Sequence, residues 1–296
     1  MNILCFGSLN IDNLYTVPHF VRAGETLSSS ALQRGCGGKG LNQSIALARA
    51  GIPVRHAGLI GNDGEMLRDF LQANGVDVSL VRTIKEPSGH AIIQLDGERQ
   101  NSILLYGGAN QKITPEFIEE VLSRLEPGDI LLLQNEINRL EEIVRKAAGR
   151  KIRIALNPAP VSDNLSSVPF EMVEWLFVNE IEGAALSGET EPQRILGALR
   201  GRYPQMQIIL TLGKNGALYR SGELTLHQPI VSVPVVDTTA AGDTFIGYYM
   251  AAVLQGQPAS AALQQASAAA ALAVSKIGAA RSIPVMDEVS PLVPCW

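Results

Sequence analysis

Short continuous apolar runs alternate with helical patterns along most of the chain. Residues 3–6, 56–60, 130–133, 152–156, 176–178 and 208–212 read as strands. Most are bounded by Gly, Pro, Asn or Asp and carry little polar character, as strands buried on both faces do. Between them, residues 41–50, 66–73, 115–125, 139–148 and 192–200 read as helices. Leu67, Phe70 and Leu71 have helical spacing. Thr114-Pro115 is a cap followed by proline at the first helical position. Strand, helix, strand in repetition predicts an α/β fold, a doubly wound and largely parallel sheet.

Two regions break the rhythm. Residues 12–34 alternate weakly and show no helix pattern. Residues 91–95 and 101–105 flank Asp96-Gly97-Glu98, a hairpin signal. These pieces predict a small antiparallel sheet standing off the main one. The expectation is one domain over residues 1–296, with a lid built from parts of about 12–35 and 88–108.

Composition narrows the function classes. The net charge is −5 and no Lys/Arg-rich run occurs, so neither nucleic acid nor an anionic membrane is expected as partner. Aromatic residues are 5% of the chain, too few for a base-stacking surface. Three cysteines, Cys5, Cys36 and Cys295, make no disulfide framework, and no Cys/His cluster predicts structural zinc. The Ala-rich stretch 259–274 contains Gln264, Gln265 and Ser267 and reads as a packed helix, not a membrane span. The first cationic residue is Arg22, so no signal peptide is expected, and the compartment expected is the cytoplasm.

Three segments carry candidate chemistry. Arg34-Gly35-Cys36-Gly37-Gly38-Lys39-Gly40-Leu41-Asn42-Gln43 opens a helix. Its glycines permit close approach of a ligand, and Lys39 and Asn42 add donors. The spacing Gly35-x-Gly37-x-x-Gly40 also matches a dinucleotide fingerprint, but no buried strand precedes it; a tight turn is the plain alternative. Val236-Asp237-Thr238-Thr239-Ala240-Ala241-Gly242-Asp243-Thr244-Phe245 opens the apolar helix 245–254. Its amides form a natural anion hole, and Asp243 can accept a proton from an attacking hydroxyl; equally, Asp237 and Asp243 can cap the turn and helix. Gly7-Ser8-Leu9-Asn10-Ile11-Asp12 follows the first strand, at the edge where open α/β sheets bind ligands, although Asn and Asp also build turns. Glu136, Asn179–Glu182 and the stretch 211–216 follow other strands. Polar residues after so many strand ends point to one crevice, with a sugar-like end and a phosphate-like end.

These residues resemble the ribokinase branch of the ribokinase/phosphofructokinase-B carbohydrate kinases, nearly end to end. The most specific piece is Asp237–Phe245; Gly37–Gln43, Gly7–Asp12, Asn157-Pro158-Ala159-Pro160, Asn179-x-x-Glu182 and Thr211-x-Gly213 match in order. The resemblance implies a three-layer α/β/α sandwich with a β-sheet lid, paired into a homodimer through the lids. It implies ATP-dependent phosphorylation of a primary hydroxyl of a small sugar, most simply ribose, with Mg²⁺ and with K⁺ as activator. By position, Asn10, Asp12, Gly38, Lys39, Asn42 and Glu136 become sugar ligands and Asp243 the base. Ala240, Ala241, Gly242 and Asp243 become the anion hole. Asn179, Thr211, Gly213, Gly216 and Gly242 become nucleotide-side residues. Glu182 would hold Mg²⁺ through water, and Asp237, Thr239, Ala273, Lys276, Gly278 and Ser282 would form the K⁺ site. Leu41, Asn135 and Ile246 depart from the family pattern and bear on which sugar is taken. The rival readings are a kinase for deoxyribose or another small sugar, a dinucleotide-dependent oxidoreductase, and a non-catalytic sugar-binding regulator.

Overall fold

A computed structural model describes residues 1–98 and 100–293; Cys295 lies outside them. The strands are β1 (Ile3–Phe6), β2 (Asn10–Thr16), β3 (Ala31–Gly37), β4 (Val54–Gly61), β5 (Asp77–Ile84), β6 (Gly89–Leu95), β7 (Asn101–Tyr106), β8 (Ile130–Gln134), β9 (Arg153–Asn157), β10 (Trp175–Asn179), β11 (Gln207–Thr211), β12 (Ala217–Ser221) and β13 (Leu224–Gln228). The helices are α1 (Lys39–Arg49), α2 (Glu65–Ala73), α3 (Pro115–Leu122), α4 (Leu140–Gly149), α5 (Glu180–Ser187), α6 (Pro192–Arg202), α7 (Ala241–Leu254), α8 (Ala259–Val274) and α9 (Met286–Val289). Among the described residues, no helix is long and apolar enough to cross a membrane.

A nine-stranded sheet runs in the order β13-β12-β11-β10-β9-β8-β1-β4-β5. From β5 to β11 every pairing is parallel; β12 and β13 close the far edge antiparallel. Alternate residues of each central strand feed opposite cores. Ile3 and Cys5 of β1, with Ile130 and Leu132 of β8, pack with Leu41 and Ile45 of α1, Tyr249 of α7 and Ala266 of α8. Leu4, Phe6, Leu131 and Leu133 pack on the other face with Ile118 of α3, Ile143 of α4 and Leu196 of α6. Helices on both faces of one sheet make three layers, and the continuous apolar runs follow from burial on both sides. The strand order reverses at β1, so the crevice over the carboxyl ends of β1 and β8 is the expected ligand position.

The second sheet has the order β3-β2-β6-β7. The sequence predicts it as antiparallel; it is mixed, because β2 pairs with β6 in parallel. The β6–β7 hairpin and the β2–β3 pair are antiparallel. β2 and β6 are far apart in sequence, so the turn signal that orients a hairpin does not govern their pairing. The glycine segment is preceded by a strand after all, β3, but it is exposed along Ala31–Arg34 and belongs to this smaller sheet. A dinucleotide fingerprint needs a strand of the main parallel sheet there, so the oxidoreductase reading loses its structural basis.

Candidate active site

The site begins where β1 ends. Gly7 stands so close to α1 that an added Cβ would lie 2.8 Å from Gly40 Cα and 2.1 Å from Gln134 Oε1. Gly38 caps α1 at φ +96°, a left-handed conformation that glycine adopts without strain. Glu136, beyond β8, fastens this turn: one of its oxygens accepts from Ser8 Oγ and, at 3.0 Å, from the Lys39 amide. Asn10 is buried and its Oδ1 accepts from Asn110 Nδ2 at 2.7 Å.

Asp243 lies in the first turn of α7 and is 8% exposed. Both of its oxygens are gripped: Oδ2 accepts from Asn42 Nδ2 and Oδ1 from Gln43 Nε2, each at 2.9 Å. The buried Asn42 Oδ1 finds no protein partner. Ala240, at φ +61°, turns the chain into α7. The Ala241 amide is engaged with Thr238 O at 3.3 Å, so it is not a free donor as the anion-hole reading expects. Gly242 and Asp243 remain in the first turn, where amides lack intrahelical partners.

Two cavities meet here. One, of about 240 Å³, is lined by Lys39, Asn157, Glu182, Asp243 and Ile246, among others. The other, of about 500 Å³, is lined largely by Ile230, Val231, Val233, Val235, Phe245, Ala270 and Ala271, with Gly213, Lys214, Gly216 and Ser267. Asn179, Thr211, Thr238 and Gly242 line both. A smaller cavity of about 190 Å³ takes Asn10, Asn110, Asn135 and Glu136. A fourth, of about 420 Å³, lies under the small sheet and is lined by Asp12, Asp237, Thr239, Gly278 and Arg281, among others.

Charge concentrates at the centre. Burial, reinforced by the Glu136 carboxylate, pushes the Asp12 carboxyl up to about 7. Burial also raises Glu136, against the pull of Lys39 and the Ser8 hydroxyl. Burial works against the Lys39 ammonium, but Asp243, Glu136 and Glu182 together hold it above its ordinary value. Glu182 is raised by burial, although the Asn179 amide and Lys39 oppose the shift.

Several expected residues have structural work as well. Asn179 and Glu182 form a capping box on α5: Asn179 Oδ1 accepts from the Glu182 amide at 2.9 Å and Glu182 Oε2 from the Asn179 amide at 3.0 Å. Gly216, at φ +87°, has no room for a side chain, since a Cβ would lie 2.1 Å from Gln228 O. Asp237 Oδ1 accepts from Thr239, and its Oδ2 from the Gly278 amide at 2.9 Å. The Val236 and Asp237 amides reach Val274 O at the end of α8, so this loop and the 273–282 segment do meet. Lys276 directs its ammonium to Glu288, 2.6 Å away, leaving only its backbone for an ion. Ser282 is buried, its hydroxyl on Ala279 O. Ala273 is fully buried. Among the described residues, no group of three His, Cys, Asp or Glu side chains is arranged to hold a metal.

Leu41 departs from the family pattern only inside the core, at 0% exposure, whereas Ile246 and Asn135 each line a cavity. Sequence reasoning missed Ser8, Gln43, Gln134 and Thr238. Ser8 and Gln43 lie within segments already singled out; Gln134 is the single polar end of an otherwise apolar strand.

The model of the pfkB family carbohydrate kinases matches residues 1–286. A ribokinase of Bacillus subtilis is 35% identical over 99% of this chain and 99% of its own length. A deoxyribokinase of Salmonella typhi is 31% identical over 97% of each. The structure of Arabidopsis thaliana ribokinase complexed with ribose and ATP superposes with a TM-score of 0.87 at 30% identity, covering 98% of both chains. A match over nearly the whole length establishes that the chain belongs to the pfkB family of carbohydrate kinases.

Proposed function

We propose that the protein is an ATP-dependent sugar kinase that phosphorylates the primary hydroxyl of D-ribose, giving D-ribose 5-phosphate and ADP. One observation carries this: Asp243, held on both oxygens, lines a polar cavity that opens at Gly242 into a large apolar one. The apolar cavity suits a nucleobase, the polar one a sugar, and the amino end of α7 lies between them, where a transferring phosphoryl group needs charge stabilisation. The sugar oxygen bonds to the γ-phosphorus as the bond to the bridging oxygen breaks. The hydroxyl proton passes to Asp243, and ADP departs. Such a transfer needs positioning and electrostatics more than covalent help, and the amides of Gly242 and Asp243 and the Lys39 ammonium supply both.

On the sugar side, Asn10, Asp12, Gly38, Lys39, Asn42 and Glu136 surround the turn that opens α1. The orphaned Asn42 Oδ1 is a buried acceptor whose desolvation a sugar hydroxyl would repay. On the nucleotide side stand Asn179, Thr211, Gly213 and Gly216. Mg²⁺ would neutralise phosphate oxygens; Glu182, an oxygen donor on the same cavity as Asp243, fits a role of holding it through water. The Asp237 carboxylate and the carbonyl-rich end of α8 make a donor set that suits K⁺, one charge with neutral oxygens. The four-stranded sheet covers the Asp12 cavity on one face, as a lid would. Leu32, Ile92, Leu104 and Tyr106 share its other face by register and are exposed, which supports pairing of two copies through their lids.

ADP release with ATP over a panel of pentoses, hexoses, deoxysugars and nucleosides tests this. Ribose should give the highest kcat/KM. Equal or better efficiency on 2-deoxyribose would move the assignment to a deoxyribose kinase. NAD binding without ATP turnover would return the oxidoreductase reading.

A further inference from the structure

Behind the base lies a buried chain of side-chain amides. Gln43 Nε2 donates to Asp243 Oδ1 at 2.9 Å, and Gln43 Oε1 accepts from Gln134 Nε2 at 2.7 Å. Gln43 and Gln134 are both 0% exposed. Gln43 Nε2 also lies 3.5 Å from Asn157 Oδ1, and the Asn157 amide is itself tied to Phe177 O at 3.0 Å. Gln134 Nε2 reaches Cys5 Sγ at 3.5 Å, and its Oε1 has no partner.

We infer that Gln43 is a positioning residue for Asp243, and that Gln134 fixes the orientation in which Gln43 does so. This rests on the assignment of Asp243 as the base. An amide presents a donor at one end and an acceptor at the other. Gln43 is useful to a carboxylate only with its NH₂ end forward; the reverse orientation sets a carbonyl oxygen against Asp243. The donor from Gln134 to Gln43 Oε1 favours the useful orientation. Gln134 is locked in turn, since its own reversal would oppose two carbonyls. The glycine at position 7 makes room for it, because any Cβ there would collide with Gln134 Oε1. The price is an orphaned buried carbonyl on Gln134, a cost a merely structural core would avoid by placing an aliphatic residue there.

The consequence for catalysis is directional. Asn42 holds one carboxylate oxygen from the side that also lines the sugar turn. Gln43 holds the other from inside the core, out of reach of substrate. Together they fix the plane of the carboxylate, and hence the direction in which it meets the hydroxyl. Misaiming a reacting group by about 1 Å can cost on the order of 10²-fold in rate without weakening substrate binding.

The test is steady-state kinetics of the full-length enzyme and of the variants Gln43→Met, Gln134→Met and the double variant. The sugar is whichever of the panel the wild type turns over best. Met matches Gln in length and removes both ends of the amide. Gln43→Met should lower kcat by about 10- to 100-fold, with KM for sugar and ATP within about threefold. Gln134→Met should lower kcat by about threefold or more, and should add nothing in the Gln43→Met background, because it acts through Gln43. An unchanged kcat in Gln43→Met, a loss carried by KM, or two losses that multiply would each overturn the inference. If Gln43→Met does not fold, Gln134→Met decides alone, as it leaves both donors to Asp243 in place; unaltered kcat then refutes the coupling. Wild-type turnover in the same assay separates the two ideas: an active wild type with indifferent variants sinks only the relay, and a wild type inert on every sugar sinks the kinase reading with it.

Discussion

Replacing Asp243 by Asn isolates the chemistry of the base from its place in the fold. The substitution keeps size and shape, so Oδ2 or its equivalent can still accept from Asn42 at 2.9 Å. The other position becomes an NH₂ group facing Gln43 Nε2, now 2.9 Å from a second donor. One charge-assisted hydrogen bond is lost and two buried donors oppose each other, which costs about 1–3 kcal/mol. Removing a charge that is 8% exposed returns part of that through relief of desolvation. The melting temperature should therefore fall by no more than about 10 °C. Catalysis should suffer more. A positioned base contributes about 10²–10⁴ in rate, equivalent to about 3–5 kcal/mol of barrier. The assay is coupled ADP release at saturating ribose, ATP and Mg²⁺, run beside thermal melting of the same preparation. A folded variant turning over within tenfold of wild type would refute the assignment of Asp243.

Other expectations follow from the same geometry. Gly242→Ala meets nothing within 4 Å of its new Cβ, so stability should hold, but the methyl stands where the two cavities meet; kcat/KM for ATP should drop at least tenfold, and a fully active variant would remove Gly242 from the phosphoryl path. Asp12 has a folded-state pKa near 7, above its ordinary 3.8. The folded state therefore binds the extra proton between those values, and stability falls as pH rises through that window. The melting temperature of wild type relative to Asp12→Asn should decline from about pH 4 to about pH 7 and then level; a constant gap would contradict the raised Asp12 carboxyl and the burial that raises it. Replacing tetramethylammonium by K⁺ at constant ionic strength should raise activity, and less so in Asp237→Ala; identical rates would remove the functional case for the cation.

The sequence made the central sheet readable because its strands are buried on both faces. Ile3–Phe6 and Ile130–Leu133 have no polar interruption to confuse the period. β5 and β13 escaped because they are the edge strands and mix exposed positions with apolar ones, as in Asp77–Ile84 and Leu224–Gln228. α5 escaped because it is short and its apolar face is weak, although Asn179-x-x-Glu182 spells a capping box. At the site, motif and strand-end position together brought out Asp243, Asn42, Lys39 and Glu136. They could not bring out Gln134. A lone amide ending an apolar strand acquires meaning only when α1 delivers Gln43 to it, a contact 91 residues apart in the chain. The involvement of Ala241 with Thr238 likewise depends on the turn geometry set by Ala240, which no residue pattern encodes.

The central claim is that the γ-phosphoryl group of ATP goes to the primary hydroxyl of ribose in this crevice. Phosphorus NMR of a reaction containing ATP, Mg²⁺, K⁺ and ribose labelled with carbon-13 at the primary carbon reads it directly. The account predicts a new phosphomonoester signal coupled to that carbon, growing in step with ADP. Free inorganic phosphate alone, or a phosphoester on any other carbon, would contradict it.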